Sequence, residues 1–181
     1  MNDTPDAWNL RDYAIAMARY NRWMNGKIYE AAATLSDEQR KADRGAYFKS
    51  VHGTLNHLLL GDQAWMQRMH GQPVTMTSPS QELHEDFEAL RAAREAMDQS
   101  LMDWAVHLES VEASRSFSFF SVVYQKQITM PYVAAVMQIF NHQTHHRGQI
   151  TTLLSQLGVD VGVTDLPLMP SWAEMSAPRA G

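Results

Sequence analysis

Apolar residues recur along this chain at steps of three and four, the spacing that puts them on one face of a helix, in four long stretches. In the first, from Leu10 to about Leu35, the stripe is Tyr13, Met17, Tyr20, Met24, Ile28 and Ala31. Ser36-Asp37-Glu38-Gln39 carries a side-chain acceptor and, three residues on, a Gln that can reach back to it. That capping box predicts a short helical turn, followed by a polar loop from Arg40 to Gly45. A second helix is expected from about Ser50 to His70, with Val51, Leu55, Leu58, Leu59, Trp65, Met66 and Met69 on its apolar side and Gly71 and Pro73 stopping it. Gly71 to Ser80 reads as a linker ending in an N-cap, Ser80. The third helix then has the most regular spacing in the chain: Leu83, Phe87, Leu90, Arg94, Met97, Leu101, Trp104 and Leu108 form a heptad seam broken once, by Arg94.

From Arg115 to Met130 the pattern changes. Ser116-Phe117-Ser118-Phe119 alternates at period two among Val, Tyr, Ile and Thr, which predicts a small hairpin or extended excursion. Pro131 suits the first turn of a last helix that runs to about Leu157 and ends at Gly158. The tail from Val159 onward, with three prolines, is expected to be mostly irregular. Four long helices with one extended insertion read as an all-α four-helix bundle, and 181 residues without internal repeats suit a single domain over 1–181.

Composition narrows the chemistry. The chain has no cysteine, which removes disulfides, thiolate metal sites, a cysteine nucleophile and redox dithiols. Any metal ligand must be histidine or carboxylate. With 15 Lys and Arg against 20 Asp and Glu, the net charge is -5 and no basic stripe is present, so neither nucleic acid nor an anionic membrane surface is expected as a partner. Met1 to Trp8 lacks the basic and apolar runs of a signal peptide, and no stretch approaches the roughly 18 apolar residues of a membrane span. A cytoplasmic location is the expectation.

The eight histidines are clustered. In the last helix His142 and His146 stand one turn apart, within about 40° on one face, so two imidazoles could share one ion. They lie along the edge of the buried arc of Tyr132, Val136, Ile139, Ile150, Leu153, Leu154 and Leu157, and so look into the bundle, whereas His145 points elsewhere. Gln143 occupies the place of the general-base Glu in the His-Glu-x-x-His box of zinc peptidases, which argues against that chemistry. The third ligand must come from another helix. Helix two offers His57, inside a stripe of Ser50, Gly53, His57, Gly61 and Ala64. Two mid-helix glycines imply a steric requirement: room for a ligand or a tight crossing on one reading, relief of packing against a Trp on the other. His52 falls on a different face and reads as a surface or outer residue; His70, His84 and His107 read as solvent-facing. Asp62 or Asp165 could back a ligating imidazole.

His52-Gly53-Thr54-Leu55-Asn56-His57-Leu58-Leu59 followed by Trp65, together with Phe140-Asn141-His142-Gln143-Thr144-His145-His146-Arg147-Gly148-Gln149, closely resembles the DinB/YfiT family of bacterial proteins. That family is distinct from the translesion DNA polymerase sharing the DinB name. The resemblance extends from Tyr20-Asn21-Arg22-Trp23-Met24-Asn25 to Asp165-Leu166-Pro167. It implies an up-up-down-down or similarly crossed bundle, often a homodimer, with one divalent ion, zinc or nickel, held by three histidines. Carried over, the ligands are His57, His142 and His146. Three imidazoles leave open positions for water or substrate. Relatives include thiol transferases and isomerases that use low-molecular-weight thiols, some with Glu replacing one histidine, a departure not seen here. The resemblance therefore implies a small thiol and an electrophilic small molecule as partners, or water as the nucleophile. The competing class is a non-enzymatic metal-binding stress or interaction bundle.

Overall fold

The computed structural model describes residues 8–108 and 115–170. Helix α1 spans Leu10–Ala33 and starts at Asn9, whose Oδ1 accepts from the N–H of Arg11 and Asp12 while Asp12 accepts from the Asn9 N–H. The capping box of Ser36 and Gln39 opens the short α2, Asp37–Lys41, as its sequence predicts. Helix α3 spans Val51–Met69 behind Ser50, whose Oγ accepts from the Gly53 N–H. Helix α4 spans Phe87–Val106 behind the cap Asp86. Strands β1, Ser116–Ser121, and β2, Lys126–Pro131, pair antiparallel with Ser116 opposite Pro131. This is the predicted hairpin. Helix α5 spans Tyr132–Gln156, with Pro131 as its cap residue and Gly158 at φ 76° just past its end. A 3-10 turn at Leu166–Leu168 follows, and the tail beyond residue 170 lies outside the described residues.

Helices α1 and α3 each pack against both α4 and α5. The apolar core falls into two clusters. One holds Met24, Ile28, Leu55, Leu59, Leu90 and Leu154; the other holds Ala14, Ala18, Trp65, Leu101, Ile139 and Phe140. The order of these residues within each helix gives the chain directions: α1 and α5 run one way, α3 and α4 the other, an up-down-down-up bundle. Between the clusters lies a buried polar layer of Asn21, Asn25, Asp62, Arg94, Asp98, Gln143 and Arg147.

That layer rotates two of the predicted stripes. On α1 the buried face carries Asn21 and Asn25 beside Met24 and Ile28, leaving Tyr13, Met17 and Tyr20 half-buried. On α4 Arg94 is buried in place and Asp98, rather than Met97, follows it inward. Arg94 Nη1 donates to Asp62 Oδ2 at 2.6 Å and Nη2 pairs with Asp98 Oδ1 at 2.9 Å, while Asn25 Nδ2 donates to the same Asp98 oxygen at 2.8 Å. Hydropathy alone cannot foresee this, because each polar side chain is inside only by virtue of partners on other helices.

The predicted start of the third long helix at Ser80 is also corrected. Helices α3 and α4 are parallel, so the chain after His70 must travel back along the 19 residues of α3, about 28 Å, before α4 can begin. It does so on the surface of α3. Gln67 Oε1 accepts from the Thr75 N–H, the Pro79 carbonyl meets His57, and Asn56 Oδ1 accepts from the N–H of both Leu83 and His84. Under this strap α3 is buried on nearly every side from Val51 to Met66. Among the described residues no helix is long and apolar enough to cross a membrane.

Candidate metal centre

Helix α3 presents His57 and helix α5 presents His142 and His146 to one point at the level of the polar layer. His57 Nε2 lies 3.1 Å from His146 Nε2, which lies 3.1 Å from His142 Nε2. The three donor atoms fall within 4.8 Å of one another, and this group could hold a metal ion. The structure thus brings together all three histidines that the sequence singles out.

The outer hydrogen bonds fix what the inner nitrogens are. His57 Nδ1 lies 2.8 Å from the Pro79 carbonyl oxygen, which only accepts, so Nδ1 carries the proton and Nε2 a lone pair. His146 Nδ1 donates to Gln149 Oε1 at 2.8 Å, with the same result. Two lone pairs facing each other at 3.1 Å are not a hydrogen bond. A divalent ion could satisfy these lone pairs, whereas protonation of the imidazoles is disfavoured at neutral pH. Burial pushes His57 down to about 4 against the raising effect of the Pro79 carbonyl, and pushes His142 down to about 3, with the neighbouring histidines adding to the shift. His146 is lowered as well, chiefly by burial. Bonds of about 2.0–2.1 Å from nitrogen to a tetrahedral zinc imply an edge of about 3.3 Å, close to the observed separations. The donor set therefore fits a divalent ion.

Phe48, in the turn before α3, stacks on His57 with centroids 3.7 Å apart and meets His146 edge-on. It also lines an open cleft of about 740 Å³ that extends over Lys41, Lys49, Asn56, Ser80 and Glu82. The two glycines of α3 have separate reasons. A Cβ on Gly61 would stand 2.6 Å from His142 Cε1, and one on Gly53 would run into the Phe48 carbonyl oxygen. Neither glycine relieves packing against a Trp. Gly61 is room for a candidate ligand, and Gly53 is room for the turn that carries Phe48.

Several expected supporting roles are corrected. Asp62 is fully buried but faces Arg94 and Gln143, away from the imidazoles, and Asp165 is exposed. His52 is not at the surface: it is 1% exposed, with Nε2 at 2.9 Å from the His84 carbonyl and 3.0 Å from Glu82. His70, His107 and His145 are exposed, and His84 is half-buried in the strap. The groups that do back the imidazoles are a backbone carbonyl, Pro79, and Gln149. Gln149 was legible as the residue three after His146 on one helix face; the Pro79 carbonyl has no sequence signal at all.

A family model described as the DinB family matches residues 1–180. A curated relative, Protein DinB of Bacillus subtilis strain 168, is 24% identical over 174 residues, covering 88% of this chain and 94% of that protein. A crystal structure of a DinB-like protein from Bacillus cereus ATCC 10987 superposes with a TM-score of 0.58 at 17% identity, over 78% of this chain and 90% of that one, a likeness of fold.

Proposed function

The chain belongs to the DinB family, and from that premise we propose that His57, His142 and His146 bind one zinc or nickel ion and that the site is catalytic, activating a small thiol, or else water, for attack on an electrophilic small molecule. The observation that carries this reading is the convergence of three Nε2 atoms, two of them held as lone pairs by their outer hydrogen bonds. A divalent ion there would act as a Lewis acid, lowering the pKa of a bound thiol or water until the nucleophile exists at neutral pH.

The chain's own residues supply the rest. Three neutral imidazoles cancel none of the charge they surround, and Asp62, the nearest buried carboxylate in sequence to His57, is neutralised by Arg94 on the far side of the helix. Such a site favours an anionic partner, which a thiolate is. The chain has no cysteine, so the sulfur must arrive with a cosubstrate. Phe48 covers one face of His57 and keeps water from that side. The Pro79 carbonyl and Gln149 hold His57 and His146 in the ligating tautomer and orientation.

Elemental analysis of untagged protein beside His146→Ala tests the metal site. About one ion per chain, lost in the variant, is expected; protein that stays metal-free after zinc or nickel is supplied overturns the reading. Incubation of the loaded protein with paired small thiols and electrophiles then tests the chemistry. No rate above buffer for any pair would leave a metal-binding bundle without thiol transfer.

A further inference from the structure

His142 differs from the other two histidines. Its Nδ1 is buried and has no hydrogen-bond partner, so no outer acceptor orients the ring as Pro79 and Gln149 orient theirs. Its position must be set in another way. The ring lies over Gly61 so closely that a Cβ there would come within 2.6 Å of Cε1 and 3.2 Å of Nδ1. Each residue of that contact is followed by a partner of the buried layer: Gln143 Nε2 donates to Asp62 Oδ2 across the same α3–α5 interface.

The tie is itself anchored. Asp62 Oδ2 also accepts from Arg94 of α4 at 2.6 Å. Gln143 Oε1 accepts from Arg147 Nη1 at 3.2 Å, and Arg147 donates onward to Asn21 Oδ1 of α1. On α5, His142 and His146 form one ladder at a spacing of four, and Gln143 and Arg147 form a second, turned from it by about 100°. One ladder faces the metal centre and the other faces the layer. Rotation or sliding of α5 that breaks the second therefore displaces the first. Well-packed apolar residues often serve stability as well as a buried ionic layer does, and fixing helix register is the best-attested use of such a layer.

We propose that Gly61 and the Gln143–Asp62 contact are the positioning elements of His142, the glycine as a notch for its ring and the hydrogen bond as the lock on the rotation of α5, in place of the outer hydrogen bond that this histidine lacks. The proposal rests on the three-histidine metal reading above. Neither Gly61 nor Gln143 would touch the ion.

The test is a titration of untagged, metal-free full-length protein with Co²⁺, read by visible absorption, with thermal unfolding and far-ultraviolet circular dichroism of the metal-free forms alongside. Gly61→Ala and Gln143→Met are compared with wild type, with His142→Ala as the missing-ligand reference, and with Gly26→Ala, a glycine of α1 with nothing near its Cβ position. Expected are cobalt affinities lowered about tenfold to a hundredfold in both positioning variants, with bands shifted towards those of His142→Ala, while Gly26→Ala matches wild type and the metal-free variants keep their helical signal. Affinity and bands equal to wild type in both variants overturn the proposal and leave the metal site standing. A loss of binding matched by a loss of metal-free helix also overturns it, since the residues would then be merely structural. Wild type that binds no cobalt overturns the metal reading itself.

Discussion

Asn56 grips the backbone of His84 on both sides of its Cα: its Oδ1 accepts from the His84 N–H at 3.0 Å and its Nδ2 donates to the His84 carbonyl at 3.0 Å. A buried side chain one residue before His57 thus fastens the strap that brings the Pro79 carbonyl to His57. Asn56→Ala removes these bonds and the one to Leu83, leaving the half-buried N–H groups of Leu83 and His84 without their acceptor, while the His84 carbonyl keeps only His52. The expected cost is about 2–4 kcal/mol in urea unfolding, with faster proteolysis between Gly71 and Asp86. Unchanged stability and cleavage would contradict the role of Asn56 as the fastener.

Arg94 separates two buried carboxylates, Asp62 and Asp98. Arg94→Met is expected to destabilise the protein by about 3–5 kcal/mol, because it leaves both acids buried without their cation. Adding Asp98→Asn removes one of the stranded charges and keeps an acceptor for Asn25. The double variant should therefore be more stable than the single one, a sign reversal that denaturant midpoints read directly. Simple addition of two losses would refute the account.

The α3 glycines and Gly26 should respond in opposite senses to alanine. Gly26 has open space about it, so Gly26→Ala should stabilise by up to about 1 kcal/mol through helix propensity. In Gly53→Ala the new Cβ meets a backbone carbonyl, Phe48, which cannot swing aside as a side chain does. A net loss of about 1–3 kcal/mol is expected in thermal unfolding, together with displacement of Phe48 from His57. A gain at Gly53 would show that the turn yields freely.

Acid should destabilise the metal-free protein through the three histidines. Their folded pKa values lie below the ordinary 6.5, at about 4 for His57 and about 3 for His142, so below pH about 6.5 the unfolded chain binds protons that the native state refuses. Their contribution is complete above pH 6.5 and is lost as pH falls through that value, levelling off once the native pKa is reached. Zinc, which takes only the neutral imidazoles, should steepen the dependence. Urea midpoints at pH 7.5 and pH 5 check this: in His57→Ala the fall between them should be smaller than in wild type, and an equal fall in both would exclude His57 from the effect.

Periodicity and local chemistry were enough to place α1, α3, the hairpin and α5 within a few residues, because amphipathic spacing, caps and a period-two run act over a turn or two of chain. The histidine pair one turn apart on α5, and His57 between glycines on α3, were legible for the same reason: ligand spacing on a helix is a local property. What the chain could not disclose locally is everything that depends on which helices become neighbours. Parallel α3 and α4 forced a long strap where a short linker and Ser80 were expected. Asn21, Asn25 and Asp98 turned inward only because Arg94 and Arg147 were there to meet them, and the break at Arg94 in an otherwise apolar seam was the one trace of this in the sequence. The tautomers of His57 and His146 were set by a backbone carbonyl 22 residues away and a side chain three residues away, and the place of His142 by a glycine on another helix. Which groups could bind an ion is written in the chain's local spacing; that their nitrogens converge is a property of the folded bundle, since it requires two helices held in one register.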